Sequence, residues 1–186
     1  MTKLKKKRIL TITGLPGSGK TSAIESIKDL GIIVTMGDVV RNEAKKRNME
    51  LNGENLGRIA KELREIGGQD IIAKKCVEHI RNLEGDIIFV DGVRSLSEVN
   101  IFRKYWKFPI IAVVVDDDKR FIRLLERARS DDPKSLEDLR KRDKRELECG
   151  LDQVLEEADY KIMNNSTIEV LKKNTRDLVL SIIQDY

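Results

Sequence analysis

Arg8-Ile9-Leu10-Thr11-Ile12-Thr13-Gly14-Leu15-Pro16-Gly17-Ser18-Gly19-Lys20-Thr21-Ser22-Ala23-Ile24 decides the fold of this 186-residue chain. The first six residues form a β-branched run that reads as a buried strand. Gly14 to Thr21 satisfies the pattern G-x-x-x-x-G-K-[ST] in full. Behind it Ala23, Ile24, Ile27 and Leu30 recur at helical spacing, so a helix is expected over Ser22 to Leu30. Strand, glycine loop and helix form the context in which such a loop cradles phosphate. Its glycines let successive backbone N–H groups converge on an anion that also faces the positive end of the helix. Gly14, Leu15, Pro16, Gly17, Ser18, Gly19, Lys20 and Thr21 are therefore the expected nucleotide-binding residues. Lys20 would reach the β- and γ-phosphates and the Thr21 hydroxyl a bound Mg²⁺.

Outward from the loop, apolar runs at Ile9–Thr13, Ile32–Thr35, Asp86–Val90 and Ile110–Val115, with a weaker one at Tyr160–Met163, alternate with helical segments. Such alternation implies a parallel sheet covered on both faces. The expected fold is an α/β, P-loop NTPase three-layer α/β/α sandwich with a five-stranded parallel sheet, one domain over residues 1–186. Two charged helical stretches interrupt it. One, about 38–84, breaks near Asn52-Gly53 and Gly67-Gly68; the other, about 119–147, breaks near Asp131-Asp132-Pro133. Both read as flaps over a site, an acceptor-binding insertion and a short lid.

Composition narrows the function classes. Hydrophobic residues make up 40% of the chain and charged residues 37%, which describes a soluble globular protein. Aromatics are 4%, too few for the stacking platforms that bind single-stranded nucleic acid. The net charge is +4, and the basic run Lys3 to Arg8 reads as a solvated tail. Cys76 and Cys149 lie outside any metal or redox spacing, and reduced thiols point to the cytoplasm. His79 is the sole histidine and reads as surface or packing. The longest apolar run is far short of the roughly 20 residues that cross a bilayer, so no membrane partner is expected.

In open α/β sheets ligands bind at the carboxyl ends of the strands. The second strand is followed by Gly37-Asp38-Val39-Val40-Arg41 and the third by Asp91-Gly92-Val93-Arg94, each an acid with an arginine three residues on. Asp91, beside the loop, suits Mg²⁺ or its waters. Arg41 and Arg94 can each clamp a phosphate with a planar fork. Gly37, Asp38, Arg41 and Arg94 are thus the expected acceptor-binding residues, and Thr21 and Asp91 the metal ligands.

Gly37-Asp38-Val39-Val40-Arg41 resembles the G-D-x-x-R element of adenylate kinases and related nucleoside monophosphate kinases. Phe89-Val90-Asp91-Gly92-Val93-Arg94 resembles their D-G-F-P-R element, one residue shorter and without the proline. Arg129-Ser130-Asp131-Asp132 with Arg140 resembles the R-x-D-D…R pattern at their lid exit, and Arg123 and Arg127 match the spacing of the lid-entry arginines. Ala158-Asp159-Tyr160-Lys161-Ile162-Met163-Asn164 is similar to an element of dephospho-CoA kinases. The whole is similar to a little-characterised archaeal family of adenylate-kinase-related P-loop proteins. The resemblance implies that Arg123 contacts the donor nucleotide and that Lys20, Arg94, Arg127, Arg129 and Arg140 act on the transferring group. Where adenylate kinases carry a glutamine that reads adenine, this chain has Glu98.

The expected activity is Mg²⁺-dependent transfer of the γ-phosphoryl of ATP to a small phosphate-bearing acceptor, foremost a nucleoside monophosphate such as AMP. A phosphate acceptor attacks through an oxygen already ionised at neutral pH, so it needs no general base. Two alternatives stand beside it: a dephospho-CoA-like kinase acting on a hydroxyl, with Asp38 or Asp91 as base, and an ATPase whose nucleotide state drives binding to a macromolecule. A GTPase is disfavoured by the lack of an N-K-x-D element.

Overall fold

The computed structural model describes residues 7–127 and 132–186. Five strands form one parallel sheet: β1 (Arg8–Thr13), β2 (Ile32–Thr35), β3 (Ile87–Asp91), β4 (Ile110–Val114) and β5 (Tyr160–Met163). Their order is β2-β3-β1-β4-β5, all neighbours parallel, with Leu10 opposite Phe89 and Ile12 opposite Ile111. The central strand is the one that runs into the phosphate loop. The order reverses at β1, so the crevice where ligands bind in such sheets opens beside that loop.

Helices cover both faces, as continuous apolar runs in β1, β3 and β4 require. On one face α1 (Lys20–Glu25) and α9 (Ile168–Gln184) enclose Leu10, Ile12, Phe89, Ile111 and Val113. On the other, α2 (Met36–Lys46), α3 (Gly53–Gly67), α4 (Ile71–Asn82), α5 (Leu96–Arg103) and α8 (Leu151–Glu156) enclose Ile9, Ile88, Val90 and Ile110. These side chains are completely buried, each worth about 1.5–3 kcal/mol relative to exposure. The three-layer sandwich expected from the alternation is the fold that forms. The two charged stretches become α2–α4 and the pair α6 (Asp117–Arg127) and α7 (Leu136–Glu148). No helix among the described residues is long and apolar enough to cross a membrane.

Two local expectations change. The helix after the loop is regular only to Glu25, because Ile27 N–H and Leu30 N–H donate to carbonyls three residues back and the Ser26 hydroxyl donates to Ala23 O at 2.7 Å. Such side-chain competition and three-residue bonds tighten a helix end. Ile27 still enters the core. Nor is the whole basic N-terminal run solvated. Lys7 is buried, and its ammonium donates to Ile80 O at 2.9 Å and to Leu83 O, closing the carboxyl end of α4 where a cation is favoured. Lys3, Lys5 and Lys6 lie outside the described residues. His79 is exposed on α4.

Candidate functional site

The carboxyl ends of β1, β2 and β3 open on a cavity of about 570 Å³, floored by the phosphate loop. Gly17 sits at φ 79°, and a Cβ there would lie 2.6 Å from the Arg120 carbonyl oxygen, so only glycine lets the loop pack this closely under α6. Beneath the loop, Asn164 at the end of β5 donates through Nδ2 to Ser18 O at 2.8 Å. Arg123 of α6 donates in turn to Asn164 O at 3.2 Å, while its Nη1 is buried without a hydrogen-bond partner among the described residues. A buried guanidinium nitrogen that lacks an acceptor costs free energy unless a ligand supplies one.

Lys20 folds back over the loop and donates to Gly14 O at 2.5 Å and Leu15 O at 3.1 Å. Burial drives its pKa down; the carboxylates of Glu146 and Asp91 resist that, and the Arg94 and Arg142 cations add to it. A desolvated ammonium held by two carbonyls gains from exchanging them for phosphate oxygens. Thr21 and Asp91 line the same cavity. One hydroxyl and one carboxylate on the same cavity wall suit Mg²⁺. That ion takes one or two protein oxygens and completes its shell with waters and substrate phosphates.

Arg120 ties this loop to the lid. Its guanidinium donates to Pro16 O at 3.1 Å, to Asp117 at 3.1 Å, and as a fork to both Asp143 oxygens at 3.0 and 2.6 Å. Arg120 is only 5% exposed in its side chain, so α7 is anchored to the phosphate loop by a largely desolvated bidentate pair.

A second cavity, about 410 Å³, adjoins the first and shares with it Gly37, Arg41, Arg94, Arg142 and Glu146. Its wall includes Val40, Leu56, Gly57 and Ala60 from α2 and α3. Gly92, at φ 94°, turns the chain from β3 into the arm that carries Arg94, and Ser95 caps α5 by accepting from Glu98 N–H. Glu98 is buried and does not offer its carboxylate to this cavity. One of its oxygens accepts from Arg94 N–H at 2.8 Å and the other from Arg64 at 3.1 Å.

At the seam between the cavities stands Glu146, buried, 3.4 Å from Arg94 Nη2 and 3.4 Å from Arg142 Nε. Burial alone would raise its pKa, but the Arg94, Lys20 and Arg142 cations outweigh that and hold it below the usual carboxylate value. The Arg94 pKa is raised, first by Glu146. Arg142 also approaches Asp132 at 3.7 Å, and Arg127 forks onto the same buried carboxylate, with Nε at 2.8 Å from Oδ2. Arg145 reaches across from α7 to Gly53 O at 3.4 Å on α3.

Of the residues singled out in the sequence, Gly14, Pro16, Gly17, Gly19, Lys20, Thr21, Gly37, Arg41, Asp91, Arg94, Arg123 and Arg127 line the first cavity. Leu15 packs against the core and Ser18 is buried under the loop, each serving through its backbone. Asp38 falls elsewhere. Its side chain is 61% exposed and pairs with Arg41 at 2.8 Å, away from either cavity lining. Arg140 is also placed apart: it is exposed and lines neither cavity, whereas Arg142 lines both. Two residues along a helix turn by about 200°, so the two arginines point opposite ways. Arg129 lies outside the described residues. Arg64, Arg120, Arg142 and Glu146 were not anticipated, and Asn164 was noticed only within the element similar to dephospho-CoA kinases. For Arg142 and Glu146 the hint was the spacing of Leu139, Arg142, Asp143 and Glu146, which follows one helix face.

Comparison with known proteins agrees with this architecture. A family model for an AAA domain matches residues 13–140. A UPF0200 protein of Methanosarcina barkeri is 39% identical over 182 residues, covering 96% of each chain. One of Thermococcus onnurineus is 40% identical over 186 residues, covering 96% of this chain and all of its own. A UPF0200/UPF0201 protein of Archaeoglobus fulgidus is 41% identical over 183 residues, and there the chain spans 57% of the relative's length. Among solved structures, shikimate kinase from Bacteroides thetaiotaomicron aligns with TM-score 0.62 at 15% identity, covering 92% of this chain and 97% of its own. Shikimate kinase from Acinetobacter baumannii in complex with shikimate aligns at 0.61 with 12% identity, covering 98% and 96%. These structural likenesses show the P-loop kinase fold. The chain belongs to the UPF0200 family, with an AAA domain carried on that fold.

Proposed function

We propose that this protein transfers the γ-phosphoryl of ATP, as its Mg²⁺ complex, to a small phosphate-bearing acceptor such as a nucleoside monophosphate. The observation that carries the reading is the pair of adjoining cavities, of about 570 and 410 Å³, sharing Arg41, Arg94 and Arg142. A phosphate loop alone accounts for one anion; a second chamber with three arginines at its mouth calls for another. The resemblance of Gly37 to Arg41 and of Asp91 to Arg94 to nucleoside monophosphate kinase elements supports the same reading.

In this reading the triphosphate draws Lys20 off the Gly14 and Leu15 carbonyls, and Arg123 Nη1 gains a partner on the donor nucleotide. Thr21 and Asp91 would hold Mg²⁺, which would neutralise the negative charge of the β- and γ-phosphates. Arg41 and Arg94 orient the acceptor phosphate, and Arg127 and Arg142 close over the transferring group and exclude water. The rate then comes from positioning and from charge aimed at the equatorial oxygens.

The deciding experiment measures ADP release from ATP·Mg²⁺ by the full chain against nucleoside monophosphates, dephospho-CoA and no acceptor. A rate unchanged by every acceptor would refute the kinase reading. Arg94→Ala should raise the acceptor KM while sparing ATP binding; equal loss of both would refute the role given to Arg94.

A hydroxyl-bearing acceptor is the second reading, and Glu146 favours it. That carboxylate stands at the seam and is ionised, where a hydroxyl proton has to go. Glu146→Gln would then abolish transfer to hydroxyls and leave transfer to phosphates in place.

A further inference from the structure

We propose that Arg64 sets the specificity of the second chamber, and that the acceptor presents to it a hydrogen-bond-accepting oxygen: the keto oxygen of a nucleobase, or a carboxylate. This rests on the kinase reading above and narrows its substrate class.

Arg64 lines the second cavity and not the first, so it lies beyond the seam where the acceptor phosphate would sit. Its side chain is 9% exposed and its Nη2 donates to Glu98. A guanidinium carries five N–H donors and no acceptor. One carboxylate oxygen leaves donors to spare on a side chain that lines the chamber. The chamber's carboxylates are otherwise engaged: Glu146, at the seam, is held by Arg94 and Arg142, and Glu65 and Glu148 are exposed and lie 3.8 Å from Lys61 and Lys144 respectively. Beyond the seam, the recognition group that Arg64 offers is therefore donor-only. An exocyclic amino group placed against it meets two donors face to face, and a desolvated mismatch of that kind is costly.

Glu98 makes the arrangement rigid. It is 1% exposed and bonds both Arg64 and the backbone of Arg94, so the specificity arginine and the phosphate-orienting arm share one carboxylate. It also explains how an acidic residue occupies this position without rejecting an anionic substrate, since its charge is already matched. The planar fork of arginine suits the O6/N7 edge of a 6-keto purine, whereas adenine offers a donor beside an acceptor there. Val40, Leu56 and Ala60 supply apolar surface for a ring.

The test titrates IMP, AMP and 3-phosphoglycerate into the full chain loaded with a non-hydrolysable ATP analogue and Mg²⁺, followed by calorimetry, with turnover of the same acceptors measured in parallel. IMP should bind at least tenfold tighter than AMP, and Arg64→Met should remove that preference while the affinity for AMP and for the ATP analogue stays within twofold. Arg64→Lys keeps a donor-only cation beside Glu98 and guards against misfolding; without the planar fork it should keep only part of the preference, between wild type and Arg64→Met. Tighter binding of 3-phosphoglycerate than of IMP, again dependent on Arg64, would assign the oxygen to a carboxylate. AMP bound as tightly as IMP by an enzyme that phosphorylates either one, or a preference unchanged in both variants, overturns the role of Arg64 and leaves the kinase reading intact. No acceptor bound and none phosphorylated overturns both.

Discussion

The phosphate loop and helix α7 both face the central cavity, yet they do so by opposite means. In the loop the groups proposed to face the phosphates are chiefly backbone N–H, and the residues that permit this are chemically singular: glycines, one lysine and one threonine at fixed spacing. In α7 the working groups are side chains of the commonest surface types. Arg142, Asp143 and Glu146 face inward, while Lys141 and Lys144 form exposed ion pairs with Glu137 and Glu148. The helix even buries little apolar surface, with Leu139 inside and Leu136 and Leu147 exposed. A functional face can thus be written in the same letters as a solvated one, and only its neighbours distinguish them.

Damage to each region in turn separates the two. Lys20→Met should lower turnover by roughly 10²–10³-fold with the fold intact by circular dichroism, since it removes a charge aimed at the transferring group. Asp143→Ala, distant in sequence from the loop, should destabilise the protein by about 1–3 kcal/mol in denaturant titrations, because it leaves Arg120 with only the Pro16 carbonyl and the exposed Asp117 as partners. If it melts like the wild type, α7 is a solvated lid after all. Arg142→Ala should cost about tenfold or more in kcat/KM, whereas Arg140→Ala should stay within about twofold. Equal losses would restore the reading that Arg140 acts on the transferring group.

A smaller effect concerns pH. Glu146 has a folded pKa below the ordinary 4.5, so it binds its proton less readily folded than unfolded. Its stabilisation is complete above about pH 4.5 and is lost as pH falls through the lowered folded value. Stability measured between pH 6 and pH 3 should therefore fall less steeply for Glu146→Gln than for the wild type.

How much was legible follows from the same contrast. The five strands, their parallel arrangement and the breaks at Asn52-Gly53 and Gly67-Gly68 come from apolar periodicity and turn chemistry, which act locally. The Asp91/Arg94 arm was legible because a strand end in this fold is a functional address. Arg140 was chosen over Arg142 because a spacing pattern carries no information on which helical face turns inward. Asp38 looked like a cavity group because it precedes Arg41, but it sits on the exposed side of α2. Glu98 stood out as a departure, and its meaning needed Arg64, 34 residues earlier, to come beside it.

What the chain determines by itself is the donor half of the site, because a phosphate loop depends on backbone conformations and short-range spacing. Of the proposed acceptor half, the sequence offered Arg41 and Arg94, and the rest was decided only in three dimensions. There Arg64, Arg142 and Glu146 arrive from α3 and α7 beside the β3–α5 arm, and burial turns ordinary surface residues into a matched set of charges. Charge in a sequence has a sign but no depth, and in this protein depth separates the chamber from the surface.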